Sequence, residues 1–147
     1  MPSTFKRRNA IISSSLPNAV FTTGQVIIAP TILNIKQGNE VQLQHIYVAS
    51  KVSHANVLIV LLRGAPRTTF TVGAAPTLND HDFDQILFQA LINATQVGLT
   101  GFFGHLSNIN INLELGTQDL YAAILAGAGV TYGATDRITS SFGFICD

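Results

Sequence analysis

The sequence predicts an all-β protein, an antiparallel sandwich of short strands in one domain. Apolar and polar residues alternate along several short segments, one aliphatic run shows no alternation, and glycine or proline separates the segments at short intervals. This combination is typical of sandwiches and barrels. At 147 residues the chain is about one domain long, and such a domain can bury roughly two thirds of its unfolded surface.

The clearest alternation lies between positions 109 and 115, where every second residue is aliphatic: Ile109, Ile111, Leu113 and Leu115. We expect this strand to turn its aliphatic face to the core, and Asn110, Asn112 and Glu114 to solvent. The run at 57–62 is aliphatic without alternation, which predicts a central strand buried on both faces.

Residues 41–49 are also extended in this interpretation. One face would carry Val41, Leu43, His45, Tyr47 and Ala49. His45 is then expected to be a core or interface residue rather than a metal ligand. Further strands are expected at 20–29, 31–36, 68–72, 97–103, 120–126 and 137–145.

One segment has the periodicity of a helix. Its apolar residues recur at helical spacing: Phe83, Ile86, Leu87, Ala90 and Leu91. Asp82 stands three residues before Gln85, as in a capping box. We therefore predict one short inserted helix near 82–94, with Asp82 as its N-terminal cap.

The N-terminal residues differ from the rest of the chain. Lys6, Arg7 and Arg8 carry three of the eight positive charges, and the serines at 13–15 lead to Pro17. We expect residues 1–17 to form an extended arm and hinge, and residues 18–147 to form the sandwich domain. We expect these three cations to contact a neighbouring subunit, so that the segment acts as an assembly arm. Contact with nucleic acid is the less favoured alternative, since three cations are few for substantial phosphate binding.

Charge is scarce throughout the chain. Only 11% of the residues are charged and the net charge is zero, whereas about 25% is usual. Interface cores are depleted of charge, so the deficit favours a homo-oligomer whose surface is covered by other subunits. A monomer with an amide- and hydroxyl-rich surface is the alternative. The charge balance argues against a general nucleic-acid or membrane binder.

Catalytic and metal-binding patterns are not apparent in the sequence. Asp80, Asp82 and Asp84 cluster beside His81, but Asp is favoured near helix N-termini, and the glycine and distal glutamate of a calcium loop are missing. The other histidines, at 45, 54 and 105, show no metal-ligand spacing. Cys146 is the only cysteine, which excludes an intrachain disulfide. We expect no enzyme activity, no cofactor and no metal.

The segment from Asn108 to Ala126 and the closing segment from Ile138 to Ile145 resemble the late strands of small jelly-roll virion proteins, including capsid, cement and decoration proteins of bacteriophages. The likeness covers about residues 19–147. It implies a virion structural protein, made in the host cytoplasm, that contacts other capsid proteins and copies of itself, for example in the closed symmetry of a trimer. The alternatives are a carbohydrate- or ligand-binding sandwich of lectin type and a metal-dependent enzyme of cupin type.

Overall fold

A computed structural model describes residues 6–35, 40–97 and 101–146. The strands in chain order are β1 (Lys6–Ser15), β2 (Val20–Phe21), β3 (Val26–Leu33), β4 (Glu40–Ser50), β5 (His54–Arg63), β6 (Ile86–Ala94), β7 (Gln96–Val97), β8 (Phe102–Leu106), β9 (Ile111–Glu114), β10 (Leu120–Ala126), β11 (Val130–Thr131) and β12 (Arg137–Cys146). The helix α1 (Asp80–Asp84) lies between β5 and β6. Within the described ranges no helix is long and apolar enough to cross a membrane.

Two sheets carry most of these strands. The front sheet has the order β1-β12-β4-β8-β7, with β9 also paired to β4. The back sheet has the order β3-β10-β5-β6, and β2 and β11 form a small separate ribbon. Every strand pairing is antiparallel.

The strand order is that of a jelly roll. Without β9 and the two-residue strands, eight strands remain, and the front sheet holds the first, eighth, third and sixth of them in that spatial order. The back sheet holds the second, seventh, fourth and fifth. Eight strands interleaved in this way form a double-sheet jelly roll. The predicted antiparallel, jelly-roll-like sandwich is therefore confirmed.

The main core fills the space between the two sheets. Its largest fully buried side chains include Leu43, Ile46, Ile59, Leu61, Leu113, Leu115, Leu120, Phe142 and Phe144. Leu113 and Leu115 thus point inward as predicted, but Ile111 is exposed. The alternation is interrupted just before β9, because Asn108 and Asn110 adopt left-handed backbone angles.

A second, smaller core covers the outer face of the back sheet. It contains Val26, Val60, Leu62, Ala123 and Leu125, and Phe70 from the β5–β6 connection packs against them. The strand β5 lies between β10 and β6 in the same sheet. The prediction that residues 57–62 form a central strand buried on both faces is therefore confirmed.

The predicted helix near 82–94 is wrong over most of its length. α1 ends at Asp84, and residues 86–94 form strand β6, antiparallel to β5. The apolar residues of this segment fit the period of a helix and also that of a strand. Without β6, however, the backbone N–H and C=O groups along one edge of β5 would lack hydrogen-bond partners. Pairing with β5 therefore decides the conformation of this segment.

Asp82 is also not the helix cap that the sequence predicts. Asn79 caps α1, and its side chain accepts a hydrogen bond from the Asp82 backbone N–H at 2.9 Å. The fully buried Asp82 carboxylate accepts hydrogen bonds from the backbone N–H groups of Arg67 (2.8 Å) and Thr68 (2.5 Å). Burial alone would raise the pKa of Asp82, but the hydrogen bonds from Thr68 and Arg67 outweigh it and lower the pKa. The carboxylate thus fastens the β5–β6 connection to α1.

The sequence predicts an extended N-terminal arm over residues 1–17, but the residues of this segment that the structure describes belong to the sandwich. Residues 6–15 form β1, which pairs with β12 along its whole length, from Lys6 opposite Cys146 to Ser15 opposite Arg137. Ile12 and Leu16 are buried in the main core. The jelly-roll domain therefore includes residues 6–17, and residues 1–5 lie outside the described residues. The pairing joins segments about 130 positions apart, a relation that local sequence patterns do not contain.

Two adjacent isoleucines in β1 test this strand assignment. Ile12 is 4% exposed and Ile11 is 66% exposed. We expect Ile12→Ala to lower the free energy of unfolding by roughly 2–5 kcal/mol, as is usual for large-to-small changes in a core. Ile11→Ala should change it by less than about 0.5 kcal/mol. Urea denaturation measures both values, and equal small effects would instead indicate a free arm.

A second pair of substitutions tests the role of Asp82. Asp82→Ala leaves two backbone N–H groups without their acceptor, at about 1–3 kcal/mol for each buried group. We expect the free energy of unfolding to fall by roughly 2–5 kcal/mol at neutral pH. Asp84→Ala, at an exposed position of the same turn, is the matched control and should have little effect. The role assigned to Asp82 is incorrect if the two variants unfold at the same urea concentration.

Candidate assembly face

The outer surface of the front sheet is a broad face built by four neighbouring strands. Opposite residues form a row across β1, β12, β4 and β8: Ile11, Ser141, Tyr47 and His105. The adjacent row consists of Ser13, Thr139, Ala49 and Phe103. Ile11, Tyr47 and Phe103 are respectively 66%, 47% and 43% exposed. We call this surface the front face.

A bulge in β4 determines which side chains reach the front face. Gly143 pairs with His45 and Phe144 pairs with Leu43, so Gln44 is an extra residue on β4. Such an insertion shifts the alternation by one position. Leu43 and Ile46 are therefore both buried, whereas His45 lies outside. The prediction that residues 41, 43, 45, 47 and 49 share one face is wrong for this reason.

Gly143 makes room for the His45 ring. A Cβ atom at position 143 would overlap the imidazole of His45. The ring can lie against the strand backbone only because glycine has no side chain. His45 therefore extends the row of rings on the front face, with its ring centroid 4.7 Å from that of Tyr47, which is 6.0 Å from that of His105.

Two grooves lie at opposite ends of the front face, and a depression of about 310 Å³ lies between them, beside Tyr47, Phe103 and His105. The first, which we call the upper groove, has a volume of about 160 Å³ and is lined by Ala49, Ser50, Lys51, Gly101, Phe103, Arg137 and Thr139. The other has a volume of about 310 Å³ and is lined by Arg7, Asn9, Gln44, His45, Gly143, Phe144 and Ile145. Each groove combines an aromatic ring with at least one cationic side chain, and none of these lining residues is acidic.

The predicted assembly residues Lys6, Arg7 and Arg8 begin strand β1. Lys6 and Arg7 are exposed and Arg8 is half-buried. Arg7 lines the groove beside His45. The structure thus brings one of the three predicted assembly residues to the front face. The contact of these three residues with a neighbouring subunit stays a prediction.

The residues considered as metal ligands are dispersed. Asp82 is engaged with the β5–β6 connection, whereas Asp80 and Asp84 are exposed. His45 and His105 flank Tyr47, His54 is in the core and His81 is on α1. Among residues 6–35, 40–97 and 101–146, no three His, Cys, Asp or Glu side chains are grouped so that they could hold a metal ion.

His54 and Tyr132 form a polar pair inside the sandwich. Both are almost fully buried, and their ring centroids are 5.9 Å apart. His54 Nδ1 lies 3.3 Å from the Ala55 carbonyl oxygen. This contact makes Nδ1 the donor of the neutral ring and leaves Nε2 as a bare acceptor. Nε2 has no hydrogen-bond partner within the part of the chain that the structure describes.

Sequence reasoning did not find the front face. Phe103 lies more than fifty positions from His45 and Tyr47 in the chain, and the β4 bulge hides the true alternation. The available signal was the three-residue segment His45-Ile46-Tyr47, in which an aliphatic residue is flanked by two amphipathic rings. Such a segment is typical of a strand with a ring-bearing outer face.

Comparisons with known proteins found likenesses in fold alone, each with a TM-score below 0.5. No family model matches the chain, and no curated protein matches it. Similar solved structures include the capsid asymmetric unit of cyanophage Pam1, with a TM-score of 0.42 and 8% identity over 100% of this chain and 91% of that chain. The structure of tomato aspermy virus matches with a TM-score of 0.37 and 10% identity, over 98% of this chain and 79% of that chain. The virus-like particle of the extra small virus of the prawn Macrobrachium rosenbergii matches with a TM-score of 0.34 and 7% identity, over 100% of this chain and 84% of that chain. Because these TM-scores are low, the jelly-roll assignment rests on the strand order of this chain alone.

The buried His54 ring predicts a specific loss of stability in acid. Burial lowers the pKa of His54, while its contact with the Ala55 carbonyl acts in the opposite direction. The unfolded chain therefore binds a proton more readily than the folded chain, so the free energy of unfolding falls as the pH drops below about 6.5.

Thermal unfolding at about pH 7.5 and about pH 5 measures this effect. We expect His54→Phe, which cannot bind a proton, to lose less stability between the two pH values than the natural chain does. His105→Phe, at an exposed position, should retain the natural pH dependence. An unchanged pH dependence in His54→Phe would show that His54 is not the group responsible.

Proposed function

We propose that this protein is a structural subunit of a virus particle, of the minor capsid, cement or decoration type, and that it acts by binding other subunits through its front face. The observation that carries the proposal is the difference between the two outer faces of the sandwich. The chain's own β5–β6 connection packs on part of the outer face of the back sheet through Phe70 and leaves Leu91 exposed there, whereas Ile11, Tyr47 and Phe103 stand exposed together on the front sheet.

The composition of the front face supports subunit binding. Exposed apolar patches rimmed by polar residues mark interaction sites. Aromatic residues and arginine are enriched in protein interfaces, and the front face has Tyr47 and Phe103 with Arg7 and Arg137 at its ends. Only 11% of the residues are charged, and a chain of zero net charge resists association weakly.

The broad, open shape of the front face also favours a protein partner. Its two end grooves and the depression between them extend along a four-stranded surface. A protein can cover the whole of this surface, whereas small molecules are usually held in more enclosed pockets. Copies of this chain, together with other capsid proteins, are the partners that we propose. Lys6, Arg7 and Arg8 are proposed to contact the same neighbours.

The proposal predicts self-association that depends on the front face. We expect the purified chain to form oligomers in light scattering, with an average mass that rises with protein concentration. Tyr47→Glu places a charge in the middle of the face and should weaken association by at least about tenfold. Val20→Glu, at another exposed apolar position, should leave association unchanged.

Two results would contradict this function. A chain that stays monomeric at every concentration, and that binds sugars on a glycan array, would indicate the lectin-type alternative instead. Equal loss of association in Tyr47→Glu and Val20→Glu would show that added charge, rather than its position on the front face, is responsible.

A further inference from the structure

We propose that the subunits join head to tail, with the exposed Phe83 of one copy inserted into the upper groove of the next copy. This inference rests on the proposed function and names the contact that carries it out. The insertion pairs an apolar ring with the wall formed by Phe103 and Ala49. The acidic residues beside Phe83 then face Arg137 and Lys51.

Phe83 has the properties of an interface anchor. It is 68% exposed although it is a large apolar residue, and it lies on α1 between the exposed Asp80 and Asp84. Buried aromatic residues often dominate the binding energy of an interface. We call this turn of the chain the Phe83 knob.

The Phe83 knob is held in place by its own neighbours. Asn79 caps the turn, and Asp82 accepts hydrogen bonds from the N–H groups of Arg67 and Thr68. At the other end of the turn, Arg63 donates from its side chain to Gln85 at 3.0 Å. A residue presented on a fixed turn loses little conformational freedom when it binds.

The upper groove has the complementary chemistry. Phe103, Ala49 and Thr139 give it an apolar wall, and Arg137 and Lys51 supply two cations. Its volume is about 160 Å³. Asp80 and Asp84 on the Phe83 knob would face these cations, and such pairing favours the correct orientation of the two subunits.

The distribution of charge over the two sheets agrees with this arrangement. The front strands and their flanks carry five cations, Lys6, Arg7, Arg8, Lys51 and Arg137, against three acids, Glu40, Glu114 and Asp136. The back strands and their connections carry two cations, Arg63 and Arg67, against four acids, Asp80, Asp82, Asp84 and Asp119. Within the described residues the front layer is therefore positive and the back layer negative, so the front of one copy attracts the back of another.

The Phe83 knob and the upper groove of one copy cannot reach each other. The knob lies beside Arg63, at the last residue of β5, because Arg63 N–H donates to the Gln85 carbonyl at 2.9 Å. The groove lies at Ser50, which a short turn joins to His54, the first residue of β5. The ten residues of β5 separate the two ends by about 30 Å, and the groove opens on the other sheet. The contact must therefore join two copies.

A contact of this kind is heterologous, because each copy offers the Phe83 knob to one neighbour and the upper groove to another. Such contacts generate a ring when the rotation closes and continue otherwise. They do not stop at a symmetric dimer. This property allows a direct test.

The test uses two variants that each remove one half of the contact. Phe83→Ser removes the anchor and keeps the groove, whereas Arg137→Glu makes the groove repel the acidic knob. Both positions are exposed, and Arg137→Glu loses a hydrogen bond of 3.3 Å to the Ser13 hydroxyl that is itself exposed, so both variants should unfold nearly like the natural chain. We expect each variant alone to associate at least about tenfold more weakly in sedimentation velocity.

An equimolar mixture of the two variants should give a two-chain species and nothing larger. The intact knob of Arg137→Glu binds the intact groove of Phe83→Ser, and the remaining halves of the contact cannot extend the chain. Leu91→Ser is the matched control, because Leu91 is another exposed apolar residue of the same layer, 60% exposed. It should assemble like the natural chain.

Several outcomes would overturn the head-to-tail contact. They are natural assembly by either variant, the absence of a two-chain species in the mixture, or loss of assembly in Leu91→Ser. If Tyr47→Glu still abolishes assembly in these cases, the front face functions without the Phe83 knob, and only this inference fails. If the natural chain does not assemble at all, the proposed function itself fails.

Discussion

The front sheet depends on the antiparallel pairing of β12 with both β1 and β4. These two ladders bring the first described strand, the last strand and the third long strand of the chain side by side. They also fix the alternation of β12, in which Phe142 and Phe144 point into the core and Thr139 and Ser141 point outward. Because a slip by one residue would exchange these faces, burial of the two phenylalanines determines the register. The composition of the front face follows from that register.

The two sheets satisfy the same physical requirement in different ways. In a sandwich each sheet buries one face against the other sheet and leaves its second face to be covered or solvated. In the back sheet the chain covers part of its own second face with the β5–β6 connection, which the buried Asp82 carboxylate fastens. The front sheet keeps Tyr47 and Phe103 exposed on its second face. Subunit binding would supply there the cover that the chain supplies for itself on the back sheet.

The sequence was sufficient to predict strands whose conformation depends on their own residues. The unbroken aliphatic run of β5 and the inward positions of Leu113 and Leu115 were visible in this way. The predictions for the N-terminal arm, for the helix near 82–94 and for the face of His45 were incorrect, because the conformation of each segment depends on a distant part of the chain. Residues 6–15 resemble a linker until β12 is placed beside them, and residues 86–94 have helical spacing until β5 offers a ladder. His45 changes sides because of a bulge opposite Gly143, a residue almost one hundred positions away.

The scarcity of charge and its placement have different consequences for assembly. Few charges and zero net charge leave little general repulsion between copies, so apolar contact can bring them together in many orientations. The excess of cations in the front layer and of acids in the back layer makes these orientations unequal. Front-to-front and back-to-back encounters place like charges together, whereas front-to-back encounters place opposite charges together. Rim charges contribute little affinity in water, and salt screens them further. In the proposed contact their main effect would therefore be on the selection of partners, while the aromatic side chains would supply most of the binding energy.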